Sequence, residues 1–201
     1  MTSRGVDPDK RATLRRFAAI GAASPLTKLA DTDADEGDVR SAIRGYLSST
    51  PGAHFSKLRD DLRLGTGETQ HHLRSLEETG AIESRKDGDY RRFYPADRFS
   101  TFEQVALGHL RRETPRRMIV HLLRSPGSSG AELAATLDVS AATVSKHANR
   151  LADDGLLSAD DGYTIEDPET VLTLVVRYAD SFGETAAAFA TEANELIRFD
   201  P

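Results

Sequence analysis

Gln70, His71 and Arg74 lie within five residues of one another in the stretch LGTGETQHHLRSLEETG, residues 64–80. Thr69, Leu73 and Leu76 recur at helical spacing, which sets them on an inner face and leaves Gln70, His71 and Arg74 outside. Gln and Arg side chains pair bidentately with the edges of adenine and guanine in a major groove. Thr66 is expected as the N-cap, and Gly80 as a left-handed residue that closes the helix. Ala81 to Arg85 then begins a strand, Asp87-Gly88 is a hairpin signal, and Tyr90 to Tyr94 returns. The ribbon gathers Arg85, Lys86, Arg91 and Arg92 beside three aromatic rings. A helix of this kind beside a basic ribbon has the shape of a nucleic-acid reader. A solvated helix followed by an ordinary hairpin fits the same residues, so the rest of the chain must decide.

Other chemistry finds little support. There is no Gly-rich phosphate loop with its lysine, no GxSxG elbow and no HExxH pair, so no catalytic residue and no enzyme activity are read. The chain has no Cys, which removes thiolate metal sites, thiol nucleophiles and disulfides. Of the six histidines, His71 and His72 are adjacent and point apart on a helix. His54, His109 and His121 have no acidic or thiol companion at ligand spacing. No metal site and no cofactor are expected.

The elements that must position the opening stretch follow from apolar spacing. Val39, Ile43, Tyr46 and Leu47 mark one helix, stopped at Thr50-Pro51-Gly52; Phe55, Leu58 and Leu62 mark a second, with Leu64 beneath it. The pattern then recurs 75 residues later without a gap. Ile43 falls on Met118, Leu47 on Leu122, Pro51-Gly52 on Pro126-Gly127, Leu58 on Leu133 and Leu62 on Leu137. His72 falls on His147, Leu76 on Leu151, Gly80 on Gly155 and Ile82 on Leu157. An internal repeat that preserves core, break and cap positions means two copies of one small domain.

The copies differ where the ribbon would be. Between Leu151 and Thr170 the second copy has no Lys or Arg, but carries Asp153, Asp154, Asp160, Asp161, Glu166, Asp167 and Glu169. Such a loop is repelled by phosphate. Between the copies, Phe102, Val105, Ala106 and Leu110 predict a connecting helix. The run His109 to Arg124 holds Arg111, Arg112, Arg116, Arg117 and Arg124 against Glu113, and either touches phosphate or neutralises acidic neighbours.

The ends are helical in pattern. Leu14, Phe17, Ala18 and Ile20 predict a short amphipathic helix, followed by an acidic linker from Asp31 to Asp38. Arg15-Arg16-Phe17 resembles a twin-arginine export signal, but Ser24-Pro25 and Lys28 interrupt the apolar run that such a signal needs. After Asp167-Pro168, Val171, Val175, Tyr178, Phe182, Phe189 and Leu196 form a stripe which, unbroken over about 30 residues, spans about 45 Å. Gly183 is a possible break. Two covers fit the stripe: a self-complementary dimer contact, or folding back over the chain's own domains. No run of about 18 apolar residues exists, so no membrane span is predicted and the expected location is cytoplasmic.

At 201 residues the chain has room for one large or two small domains. Its net charge is −6, and only five of its 26 basic residues are Lys. Excess Asp with few Lys resembles the composition of proteins from salt-loving archaea. High salt removes the counterion-release drive of non-specific DNA binding, so a DNA binder there leans on base contacts and shape.

Helix, helix, turn, helix and ribbon resembles the winged helix-turn-helix fold. GETQHHLRSLEETGAIESRKDGDYRRFYP is similar to the third helix and wing of archaeal regulators of the ArsR and MarR groups, and AELAATLDVSAATVSKHANRLADDGLL resembles an ArsR-type helix-turn-helix. The resemblance covers residues 39 to 165. It implies a mainly α fold with small β wings: two tandem winged helix-turn-helix domains plus a C-terminal helical segment. The expected boundaries are 1–37 for the N-terminal helix and linker, 38–98 for domain 1, 99–114 for the connecting helix, 115–166 for domain 2 and 167–201 for a C-terminal dimerisation helix. It further implies a transcriptional regulator of double-stranded DNA, acting as a homodimer on half-sites about 10 base pairs apart or a multiple. Copy one would present Thr66, Gln70, His71 and Arg74 from its helix and Arg85, Lys86, Arg91 and Arg92 from its wing. Copy two would present Thr143, Ser145, Lys146 and Asn149, with Ser140 as N-cap. The acidic second wing leaves copy one as the expected principal reader. A winged-helix protein-interaction scaffold is the rival reading, and an apolar outer face on the third helix would mark it.

Overall fold

The computed structural model describes residues 33–196, which fall into two compact units divided between Phe99 and Ser100. The expectations for the N-terminal helix around Leu14 to Ile20, and for residues 197–201, lie outside the described residues.

The first unit runs α1 (Asp33–Ser49), β1 (Ala53–His54), α2 (Phe55–Leu62), α3 (Thr66–Glu78), β2 (Ile82–Asp87) and β3 (Tyr90–Pro95). The strands form an antiparallel sheet in the order β1-β3-β2. Its core is built from the apolar positions that the spacing marks. Val39, Ile43, Tyr46 and Leu47 of α1 meet Leu58 and Leu62 of α2, Leu73 and Leu76 of α3, and Ile82 and Phe93 of the ribbon. Gly52 ends the first connection with φ of 77°, and its N–H donates to the Phe93 carbonyl at 2.9 Å. That bond fastens the start of α2 to the ribbon.

The second unit runs α4 (Thr101–Leu110), α5 (Glu113–Arg124), α6 (Gly130–Leu137), α7 (Ala141–Asp153), β4 (Leu157–Ser158), β5 (Thr164–Ile165), α8 (Pro168–Arg177), α9 (Ala179–Phe182) and α10 (Glu184–Leu196). The 75-residue repeat is present in its geometry. Helices α2 and α6, and α3 and α7, begin and end at equivalent positions. The left-handed residues recur too: Gly52 with Gly127, Arg63 with Asp138 and Gly80 with Gly155. Even β1 has its counterpart, a single antiparallel bridge between Ser128 and Tyr163. The ribbon alone departs. Ile82 pairs with Pro95, whereas its equivalent Leu157 pairs with Ile165, so the second ribbon is five residues shorter. Its return is drawn tight where Gly127 N–H donates to the Tyr163 carbonyl and Tyr163 N–H to the Ser128 carbonyl, each at 2.9 Å.

Two expectations change here. The C-terminal stripe is not one long helix awaiting a second chain. Gly183, at φ of 95°, breaks it, and α10 returns along α8 and α5. Val171, Leu174, Val175, Phe182, Ala186 and Phe189 are thereby buried within their own unit, so these positions of the stripe find cover inside their own chain. The helix expected to connect the domains, α4, lies in the second unit and packs on α5 and α8.

The basic run 109–124 is also spent internally. Arg112 donates to the Gly108 carbonyl at 3.2 Å, Arg116 to Leu110 at 3.0 Å, Arg117 to Leu137 at 2.8 Å and Arg111 to Ser181 at 2.7 Å. Each of these carbonyls lies in the last turn of its helix, where acceptors lack intrahelical partners and the helix dipole favours a cation. Arg111 also stacks 4.4 Å from the Phe182 ring, and Arg124 stacks 5.1 Å from Phe189 while pairing with Glu192 at 2.6 Å. Of the two roles expected for this run, Arg124 neutralises an acid, while Arg111, Arg112, Arg116 and Arg117 finish helices.

Candidate nucleic-acid interface

The third helix of the first unit starts without a side-chain cap. Gly65, not Thr66, takes the N-cap position, and Thr66 is the first helical residue. Half of a capping box remains: Gly65 N–H donates to the Glu68 carboxylate at 3.0 Å, and Thr69 Oγ1 donates to the Gly65 carbonyl at 2.8 Å. Thr69, His72, Leu73 and Leu76 face inward, so Thr66, Gln70, His71 and Arg74 are exposed on the opposite face. Neither the Gln70 nor the Arg74 side chain makes a hydrogen bond or ion pair among the described residues. His71 touches the His72 ring edge-on at 5.2 Å although the two differ in exposure.

The same register positions on α7 hold Ser145, Lys146 and Asn149, all exposed. Thr143 stands apart from them. It is half-buried, its hydroxyl lies 2.8 Å from Ser140 Oγ, and its N–H donates to Ser140 Oγ at 3.1 Å. It completes the cap that Ser140 was expected to form, so Thr143 is better placed to start α7 than to touch a base.

The ribbon sorts its four cations into three kinds. Arg85 and Lys86 carry no ion pair among the described residues, Arg85 half-buried and Lys86 exposed. Arg91 is exposed but held to α3: Nη2 donates to Glu77 Oε1 at 2.7 Å and Nε to Ser84 Oγ at 2.8 Å, while Ser84 Oγ donates to the same Glu77 oxygen at 2.6 Å. Arg92 contradicts the expectation of a DNA contact. Its side chain is 2% exposed, is ion-paired through Nε to Asp87 Oδ2, and donates from Nη1 to the Gly52 carbonyl at 2.9 Å. The alternation of the strand turns Arg92 away from the α3 side and into the ribbon's other face. Asp87, expected as part of the turn, is the last residue of β2. The loop is Gly88-Asp89, with Gly88 at φ of 62° as a type II′ turn requires.

A cleft of about 500 Å³ separates α3 from β3, lined by Phe55, Gln70, Leu73, Arg74, Glu77, Glu78, Arg91 and Phe93. At the ribbon's tip Tyr90 is 47% exposed, stacked 4.8 Å from the His54 ring. His54 caps α2 by accepting the Lys57 N–H on Nδ1. Burial, and then the Arg92 charge, hold its pKa below the ordinary histidine value. Burial likewise lowers His72 and His147. Phe93 and Tyr94 are buried. Sequence reasoning missed Glu77, Ser84 and the His54–Tyr90 contact because the ribbon brings these groups together only in the fold. His109, which has no acidic companion at ligand spacing, lies 2.7 Å through Nε2 from Asp154, 45 residues further along the chain. Among the described residues, no three His, Asp or Glu side chains cluster as metal ligands.

With the same three helices and ribbon repeated in each unit, the architecture is decided. The chain is a tandem of two winged helix-turn-helix domains. A family model described as an N-terminal HTH domain matches residues 37–107, and one of the MarR family matches residues 114–162. The second copy, which resembles an ArsR-type motif in sequence, is thus matched on the MarR side of the two groups. An uncharacterized HTH-type transcriptional regulator of Methanocaldococcus jannaschii is 30% identical over 122 residues, covering 61% of this chain. The chain spans 30% of that relative's length. No solved structure matches the chain. No helix among the described residues is long and apolar enough to cross a membrane.

Proposed function

We propose that the chain is a DNA-binding transcriptional regulator that reads duplex DNA chiefly through α3 and the wing of its first domain. The helix-turn-helix and MarR matches and the archaeal relative support the coarser part of this reading. The finer part rests on one observation: Gln70 and Arg74 stand exposed and unengaged on the outer face of α3, beside a wing that carries Arg85 and Lys86. Each good bidentate pair from such side chains discriminates against the wrong base by about 1–3 kcal/mol. An interaction scaffold would place an apolar patch on that face instead. The exposed face of α7, with Ser145, Lys146 and Asn149, serves as an accessory contact, because its wing is short and lacks any cation.

The test is selection from a random duplex library by the full chain in molar salt, followed by sequencing. The expected result is enrichment of a discrete motif containing guanine and adenine at fixed positions. A pool that stays random after repeated rounds overturns sequence-specific reading.

A further inference from the structure

The first domain spends one of its wing cations inside the interface. The Arg91 side chain is 62% exposed, yet its Nε and Nη2 edge is turned onto Ser84 and Glu77. Glu77 lies only 21% exposed on α3, seven residues beyond Gln70 and on the wall of the cleft that Arg74 also lines. Ser84 closes the triangle by donating to the same carboxylate oxygen. A guanidinium recognises phosphate or a guanine edge through two parallel N–H donors, and this edge of Arg91 is occupied. The second domain has nothing comparable: Ala152 and Ala159 stand at the positions of Glu77 and Ser84, and its shortened ribbon carries no cation.

We propose that Glu77 sets the DNA selectivity of the first domain by holding Arg91 back from phosphate. This inference rests on the reading of α3 and its wing as a DNA-binding surface. Non-specific affinity grows with the number of cations free to displace counterions. With Arg91 held by Glu77, a phosphate must displace a carboxylate to recruit it. A cognate site, bound through base contacts as well, brings the wing close enough for that exchange. A random duplex offers less in return. Glu77 therefore acts as a positioning residue that penalises backbone-only binding.

The experiment measures binding of the full chain to a mixed-sequence duplex by fluorescence anisotropy across a salt series. Glu77→Gln keeps the size of the side chain and its bond to Ser84 while removing the charge that holds Arg91. Because an exposed ion pair of this kind is weak, the expected gain is about two- to fivefold in affinity. The salt slope should steepen by about 0.9, as one further phosphate contact requires. Glu77→Gln combined with Arg91→Ala should lose both gains. Glu78→Gln removes an exposed carboxylate one residue away and controls for net charge. If Glu78→Gln reproduces the gain and slope, or if the double variant retains them, the proposal is overturned. Unchanged or weaker binding by Glu77→Gln overturns it as well. These failures are distinct from failure of the underlying reading, in which substituting Gln70 and Arg74 leaves duplex binding intact.

Discussion

Arg92 gives the most discriminating substitution in the wing. With only 2% of its side chain exposed, against 14% for Asp87, Arg92→Ala takes the guanidinium away from a carboxylate that has little access to water. Breaking a buried pair by removing one partner costs roughly 3–5 kcal/mol, and the residual exposure of Asp87 puts this pair near the lower end, about 3 kcal/mol. The Gly52 carbonyl loses its guanidinium donor too, adding about 1 kcal/mol. For a domain of this size each kcal/mol lowers the melting midpoint by about 4–8 °C, so the first domain should melt at least about 16 °C lower. Asp87→Ala combined with Arg92→Ala removes both charges and should cost less than the sum of the single substitutions, by at least about 1 kcal/mol. Calorimetry or far-UV circular dichroism on the full chain reads both quantities. A melting midpoint for Arg92→Ala that stays with the parent, coupled to a large loss of duplex affinity, refutes the reasoning and restores Arg92 as a direct DNA contact.

Two further predictions test how the domains are held. His54, His72 and His147 all have pKa values held below the ordinary value, first by burial and then by Arg92, His71 and Lys146 respectively. The unfolded chain therefore binds more protons than the folded one as pH falls through about 6.5; stability present above that pH should decline on further acidification. His54→Asn, which can cap α2 without titrating, should flatten part of that decline in urea midpoints, and an unchanged pH slope would count against the role given to His54. Gly162→Ala probes the short second wing: at φ of 92°, a Cβ would lie 2.1 Å from the Gly127 carbonyl oxygen. Strain and clash together should destabilise the second domain by more than about 1 kcal/mol while the first domain melts normally. A wild-type melt of the second domain would contradict the tight approach of these two glycines.

Much of the fold was legible because core patterning survives in each copy independently. Leu58 with Leu133, Leu76 with Leu151 and Gly80 with Gly155 are fixed by helix period and cap geometry, both local in sequence. Sites that depend on pairing across the ribbon were not legible. Whether an arginine in a strand faces solvent or the interior depends on register, and Arg91 and Arg92 take opposite fates one residue apart. The C-terminal stripe illustrates a second limit. Periodicity shows that Val171, Val175 and Phe189 need cover, but the sequence does not show that α8 packs on α4 and α5, nor that the turn at Gly183 folds α10 back onto α8 and α5. The arginines from Arg111 to Arg124 show a third: charge is visible in a sequence, while the helix-terminal carbonyls that use it are not.

The central claim, that the first domain does most of the reading, is tested most directly by paired substitutions in the full chain. Gln70→Ala with Arg74→Ala is compared with Lys146→Ala and Asn149→Ala, measuring affinity for the motif recovered by selection, at molar salt. If both base-contacting side chains of α3 are engaged, the first pair should lose about 2–6 kcal/mol of binding, taking about 1–3 for each. The second pair should lose distinctly less. A larger loss from Lys146 and Asn149 than from Gln70 and Arg74 would contradict the account and move the principal reading surface to the second domain.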